Sequence, residues 1–341
     1  MSQEIRFARM GRLGIATLTR PHALNALTRD MCGELHRQLI EWLVDASVEA
    51  VVVEGEGDRA FCAGGDVVAM HAAGKAGDGS YAAFFHDEYR LNQAIAHYPK
   101  PYIALMDGIT MGGGVGISIH APYRVATEAT LFAMPEAGIG FITDVGATHA
   151  LPRLPGEIGE FLGLTGARIG PADCRTAEIA THYVPRAELE LLKERLAHAH
   201  ESVGQVLDTF DADPGPDMLT ALREGIDYHF ARDSVEAMLA SLDEGDDWAN
   251  DQARHMRTLS PTSLKLILHA LREGDGETIE SCLRREYRIV CNMERGGDFY
   301  EGVRAQLIDK DRAPRWNPPT LAEVEIEPYL EEPPAGDLDF D

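Results

Sequence analysis

The chain has 341 residues, of which 45% are hydrophobic and 26% charged, a globular composition with room for one large domain or two ordinary ones. Lys and Arg total 31 against 56 Asp and Glu, and the net charge of −25 excludes the broad basic surface that nucleic-acid binding requires. A small anionic ligand, needing only a local basic patch, is still compatible with it.

In chain order, Leu13 to Thr19 reads as a short strand stopped by Arg20-Pro21. Thr28 is placed to cap a helix that gathers Met31, Leu35, Leu39, Trp42 and Leu43 on one face. Residues 50–55, AVVVEG, form a β-branched strand, after which residues 59–66 (RAFCAGGD) turn sharply into a helical pattern. A flexible loop is expected over 74–80, then an amphipathic helix with Phe84, Phe85, Tyr89, Leu91 and Ile95. Pro99 and Pro101 end that helix ahead of the strand YIALM at 102–106.

The most apolar window, Ile103 to Ile119, contains Asp107 and five glycines, so it reads as a buried strand–turn–helix and not as a membrane span. Short strands interleaved with helices indicate an α/β architecture. From Pro185 the pattern becomes helix after helix, broken at 211–217 (DADPGPD). The expected division is a core over 1–200, a helical region over 201–318 and a tail over 319–341. The stretch from Pro318, with eight acidic residues, five prolines and no basic one, is expected to be weakly ordered around a short anchored segment.

The stretch from Asp107 to Asp144 concentrates the chemistry. Gly112 to Gly114 allow close backbone approach and expose N–H groups at a helix start, which suits a developing anion. Glu136 and Asp144 sit in apolar, glycine-rich surroundings that push a carboxyl pKa upward. Donors for an oxyanion beside poised carboxylates suggest acyl or enolate chemistry. The 13 histidines offer no HExxH spacing, and GxGxxG, P-loop and GxSxG patterns are absent, so no metal, nucleotide or serine-esterase site is expected. The N-terminal MSQEIRFARM has no signal-peptide core, and the five scattered Cys fit a reducing cytosol. A soluble cytoplasmic protein is the expectation.

Taken in order, AFCAGGD (60–66), ITMGGGVG (109–116), FAMPEAGIG (132–140) and the spaced Asp144 resemble the crotonase superfamily. EYRLN (88–92) and the late 298–318 segment look like its 3-hydroxyisobutyryl-CoA hydrolase branch. The resemblance implies a spiral of ββα units with a helical C-terminal region. It implies that the N–H groups of Gly65 and Gly113 form an oxyanion hole, a feature that contributes about 3–4 kcal/mol per donor. Hydratases of the superfamily use two glutamates. Gly116 stands at the first of those positions here, and only the second, Glu136, is present. The hydrolase branch pairs that glutamate with an aspartate eight residues on, Asp144, and uses a further substrate-binding carboxylate that Glu88 matches. Thr143 departs from the branch, where a proline often precedes the aspartate.

The activity implied is hydrolysis of a short β-hydroxyacyl-CoA, foremost 3-hydroxyisobutyryl-CoA of valine catabolism, to the free acid and CoA. No cofactor is implied beyond the CoA of the substrate. The rival readings are an enoyl-CoA hydratase or isomerase using Glu136 alone, and a silent acyl-CoA-binding protein. Partners implied are the acyl-CoA and, as in other crotonases, further copies in a trimer or hexamer; neither nucleic acid nor membrane is expected. Read from the residues alone, Glu88 on its amphipathic helix is equally a solvated surface charge, and Asp66 is a residue that holds its turn.

Overall fold

The computed structural model describes residues 4–334 and 336–340. By internal contacts the chain forms two compact units. The first takes in the chain up to Gly65, Arg90–Phe132 and Ile169–Thr220; the second takes in Asp66–Tyr89, Ala133–Arg168 and the chain from Ala221 onward. The division near residue 200 follows sequence character, whereas these units interleave along the chain.

The strands are β1 (Ile5–Met10), β2 (Leu13–Leu18), β3 (Ala50–Gly55), β4 (Ala60–Cys62), β5 (Tyr102–Met106), β6 (Ile109–Met111), β7 (Tyr123–Ala126), β8 (Leu131–Ala133) and β9 (His182–Tyr183). One sheet has the order β1-β2-β3-β5-β7-β9 and a smaller one β4-β6-β8. β1 and β2 are antiparallel, while β2, β3, β5, β7 and β9 pair in parallel. From β3 onward, successive strands alternate between the two sheets, which is the ββα spiral implied by the sequence.

Parallel strands buried on both faces read as continuous apolar runs, and β2 and β5 are buried at every position. The large sheet packs Leu13, Ile15, Val52, Ile103, Leu105 and Val125 against Leu189, Leu192, Leu196, Val203 and Leu207. Those leucines and valines come from the helices Leu189–His198 and Val203–Phe210. The first helix, α1 (Arg29–Val44), is capped as expected, with the Thr28 hydroxyl accepting Met31 N–H at 3.3 Å. Met31, Leu35, Leu39 and Trp42 are buried on it, but Leu43, expected on the same face, is 40% exposed at the stripe's edge.

The second unit is largely helical: α2 (Val67–Ala76), α3 (Ser80–Ala96, which enters the first unit at Arg90), α4 (Ala147–Ala150), α5 (Ile158–Thr165), α6 (Pro261–Gly274), α7 (Ile279–Met293), α8 (Asp298–Val303) and α9 (Glu327–Leu330). Asp66 caps α2 by accepting Ala69 N–H at 3.1 Å, the structural part foreseen for it. α2 runs into the expected 74–80 loop and stops at Gly77, whose φ of +63° gives a left-handed end. An aromatic cluster fills the interior, with ring centroids of Phe85 and Tyr81 5.0 Å apart, Phe85 and Phe141 5.5 Å, and Phe141 and Phe299 5.3 Å.

More of the acidic tail is anchored than its composition implied. Arg288 of α7 pairs with Asp337, Arg284 Nε donates to the Leu338 carbonyl at 3.1 Å, and Asn292 Nδ2 donates to the Glu331 carbonyl at 2.8 Å. Leu338 is buried, and the Arg284 guanidinium lies 5.2 Å from the Phe340 ring centroid. The tail's negative charge meets the arginine-rich edge of α7, which offsets the ordering entropy that such a composition normally fails to overcome. Among the described residues, no helix is long and apolar enough to cross a membrane.

Within the first unit, β4 and β6 lie side by side in parallel, with Cys62 opposite Thr110. Adjacent parallel strands end at the same edge, so the glycine turns after each emerge together. Gly112 has φ +49° and ψ −121°, a conformation that needs the missing Cβ. Gly114 packs so closely that a Cβ would lie 2.1 Å from the Cys62 carbonyl oxygen. Gly114→Ala is therefore expected to lower unfolding free energy by about 1–3 kcal/mol, read from urea denaturation. A wild-type midpoint would refute this reading of the β4–β6 junction.

Candidate active site

Each unit holds its own candidate chemistry. In the first, the Gly65 turn follows β4 and the Gly113 turn follows β6. A Cβ placed on Gly64 would lie 3.9 Å from Gly113 N, so the two turns are in van der Waals reach. Leu27 N–H donates to the Gly64 carbonyl, which pins the first turn. Gly113 opens a short helical turn, where N–H groups have no partner within the helix. Neither Gly65 nor Gly113 N–H donates to another group among the described residues. Two free amide donors at one strand edge are the material of an oxyanion hole.

The second unit gathers the acids. Glu136 opens a 3-10 turn, Glu136–Ile139, and is 6% exposed; its Oε2 has no hydrogen-bond partner among the described residues. Burial first, and the Asp144 carboxyl second, hold its pKa well above the usual carboxylate range. Asp144 is 4% exposed, and its Oδ2 accepts the Tyr89 hydroxyl at 2.7 Å. Burial raises its pKa to about 7, against the lowering effect of the Tyr89 bond.

Thr143 does not disturb this arrangement. It is fully buried, and its hydroxyl donates to the Gly163 carbonyl of α5 at 3.4 Å. Glu88 is no surface charge. It is 2% exposed on α3, its Oε1 lacks a partner among the described residues, and burial, then Asp144, then Glu286 push its pKa far upward.

The geometry adds two residues whose roles the sequence did not declare. Tyr89 reads in sequence as one more apolar-face aromatic, yet it supplies the donor to Asp144. Glu286, 142 positions beyond Asp144, is fully buried on α7 with a pKa raised to about 8, by burial and then by Asp144. One signal could have found it. Cys282, Leu283, Tyr287, Ile289 and Val290 make an apolar face on that helix, and Glu286 falls within it. No group of three His, Cys, Asp or Glu among the described residues is arranged to hold a metal ion.

Alternating ββα units, paired glycine turns and a buried carboxyl cluster define the class: an α/β scaffold equipped for thioester or enolate chemistry. The sequence pattern described as enoyl-CoA hydratase/isomerase matches residues 13–330. The chain belongs to this family, the crotonases. It is 45% identical over 94% of its length, and 87% of the relative's, to the mitochondrial 3-hydroxyisobutyryl-CoA hydrolase of Danio rerio. A carnitinyl-CoA dehydratase from Mycobacterium thermoresistibile superposes with TM-score 0.94 at 39% identity, covering 100% of this chain and 99% of that one. An enoyl-CoA hydratase from Rhodobacter sphaeroides superposes with TM-score 0.91 at 40% identity, covering 99% and 100%.

One expectation is overturned here. Curated relatives bear the qualifier mitochondrial, which contradicts the cytoplasmic assignment. That assignment used the scattered cysteines and the N-terminal residues without a signal-peptide core, and thiols outside disulfides suit any reducing interior equally well.

Buried carboxyls make the fold sensitive to pH. Asp144 moves from 3.8 when unfolded to about 7 when folded, and Glu286 from 4.5 to about 8. Raised acids favour the folded state while both forms are protonated, so this contribution is present below the unfolded values and is lost as pH rises through the folded ones. Stability from chemical denaturation is expected to fall between about pH 4 and pH 8, and Asp144→Asn is expected to flatten part of that slope. A pH-independent stability across this window would contradict the burial of these groups.

Proposed function

We propose that this chain is an acyl-CoA thioester hydrolase acting on a short β-hydroxyacyl-CoA, with 3-hydroxyisobutyryl-CoA as the first candidate. The observation that carries this reading is the burial of Glu136 and Asp144, with the Asp144 carboxyl raising the Glu136 pKa, while Gly116 stands where the resemblance puts a hydratase's other glutamate. A glycine cannot move a proton, so the usual two-glutamate hydration has only half its machinery. The identity to curated hydrolases over nearly the whole chain supports the same substrate class.

In this reading the thioester carbonyl oxygen is assigned to the N–H groups of Gly65 and Gly113, which stabilise the charge that grows on it during attack. Glu136 drives the attack, as nucleophile through its own carboxylate or as base toward water. Both routes break the carbonyl–sulfur bond, consume one water and release the free acid and the CoA thiol. Both also require ionised Glu136, whose raised pKa means that activity climbs as pH rises through it. Asp144, held by Tyr89, positions water or the substrate hydroxyl, and Glu88 binds the hydroxyl end. Carboxyls and water suffice, with CoA entering as part of the substrate.

The second reading is an enoyl-CoA hydratase or isomerase using Glu136 alone, favoured by the likeness to the dehydratase and hydratase structures. Assaying free thiol separately from loss of enoyl conjugation divides the two. Glu136→Gln should reduce thiol release by about 10²–10⁴-fold with the fold intact. Unchanged release in that variant would remove Glu136 from the mechanism. Hydration without thiol release by the wild type would favour the second reading.

A further inference from the structure

Glu286 takes no part in the reaction as written, yet both its oxygens are engaged by the segment that follows Asp144. Oε2 accepts Gly146 N–H at 2.8 Å; Oε1 accepts Thr148 N–H at 3.2 Å and the Thr148 hydroxyl at 2.5 Å. Between Asp144 and Gly146, Val145 has φ +58°, a left-handed conformation that a β-branched residue adopts only under strain. Such a turn persists where its surroundings over-determine it. An apolar residue at 286 would continue the face formed by Cys282, Leu283, Ile289 and Val290, but it would leave two buried N–H groups without their acceptor. Packing alone therefore does not account for a carboxylate here.

We propose that Glu286 is a positioning residue for Asp144, clamping the strained turn so that the Asp144 carboxyl is presented to Tyr89 and to the substrate. What Asp144 does for the reaction rests on the hydrolase reading above; the clamp itself does not.

The clamp also carries charge. Facing Glu286 are Asp144 from the turn ahead of α4, Glu88 and Tyr89 from α3, and Cys282 from its own helix. The neighbouring α6 and α9 bring His269 and Glu327, of which His269 feels both Arg285 and Glu327, and Arg153 acts on Cys282. Of these, Glu88 is the carboxyl whose proton Glu286 makes harder to remove, whereas Asp144 titrates below Glu286 and is lowered by its Tyr89 bond. Releasing the clamp loosens that bond and moves the Asp144 titration to higher pH. A residue that merely filled space would leave it where it was.

The test measures thiol release from a β-hydroxyacyl-CoA across pH in wild type, Glu286→Gln and Thr148→Val. Glutamine cannot accept from both sides, so kcat is expected to fall about tenfold or more with KM changed far less. The infrared titration of the Asp144 carboxyl should move upward. Thr148→Val loses one bond of the clamp, so it should shift that titration in the same direction by less, and it decides the matter if the glutamine variant does not fold. An unmoved Asp144 titration in the folded variant overturns the proposal, whatever happens to kcat.

If the wild type releases no thiol, the hydrolase reading fails by itself. The clamp is then judged by infrared titration of the Asp144 carboxyl, with Asp144→Asn identifying the band. A higher midpoint in Glu286→Gln, from the weakened Tyr89 bond, supports the clamp, and an unchanged midpoint rejects it.

Discussion

Taking Glu88, Glu136, Asp144 and Glu286 out of water is the constraint from which the chemistry of the second unit follows. An isolated ionised carboxylate is costly in an apolar interior, and two near each other are costlier still. The chain meets this with protons instead of cations: burial raises all four groups, repulsion from Asp144 adds to it at Glu88, Glu136 and Glu286, and the hydroxyl of Tyr89 stabilises ionised Asp144 selectively. Around neutral pH such a cluster holds fewer negative charges than carboxyls, and its protons belong to the group more than to any member. A reaction that begins by ionising one carboxyl therefore begins by redistributing protons among the rest.

The first unit solves a different problem, that of presenting backbone donors without losing the sheet. Parallel pairing of β4 with β6 brings two turns out on one edge, and glycine at 112 and 114 permits a course that a side chain would block. The donors at Gly65 and Gly113 thus come from sheet topology together with missing Cβ atoms. No side chain has to be aimed.

Much of this was legible beforehand because it is local. The strand at 50–55 matches its expected limits, the cap at Thr28 forms, and the turns containing Gly65 and Gly113 fall where short-range glycine patterns put them. Glu136 and Asp144, eight residues apart, prove to be electrostatic neighbours. What escaped depends on long-range contact. The burial of Glu88, for which a surface charge was the rival reading, and the whole of Glu286 were not legible, because a heptad-scale pattern says which face a residue occupies, not what that face meets. Tyr89 escaped for the opposite reason: an aromatic on an apolar face needs no explanation until its hydroxyl finds Asp144. Cellular compartment escaped because thiol usage reports redox conditions and carries no address.

The anchoring of the tail on α7 has a further consequence. Arg284 and Arg288 grip the last residues on one edge of a helix whose buried side carries Glu286. Composition alone marks this acidic segment as expendable, the natural place for a truncation, a purification tag or a fused partner. Any of these would pull on the helix that backs the Asp144 turn, and high salt would loosen the same arginine grip. Handling at the far end of the chain is thus mechanically linked to the buried carboxyls.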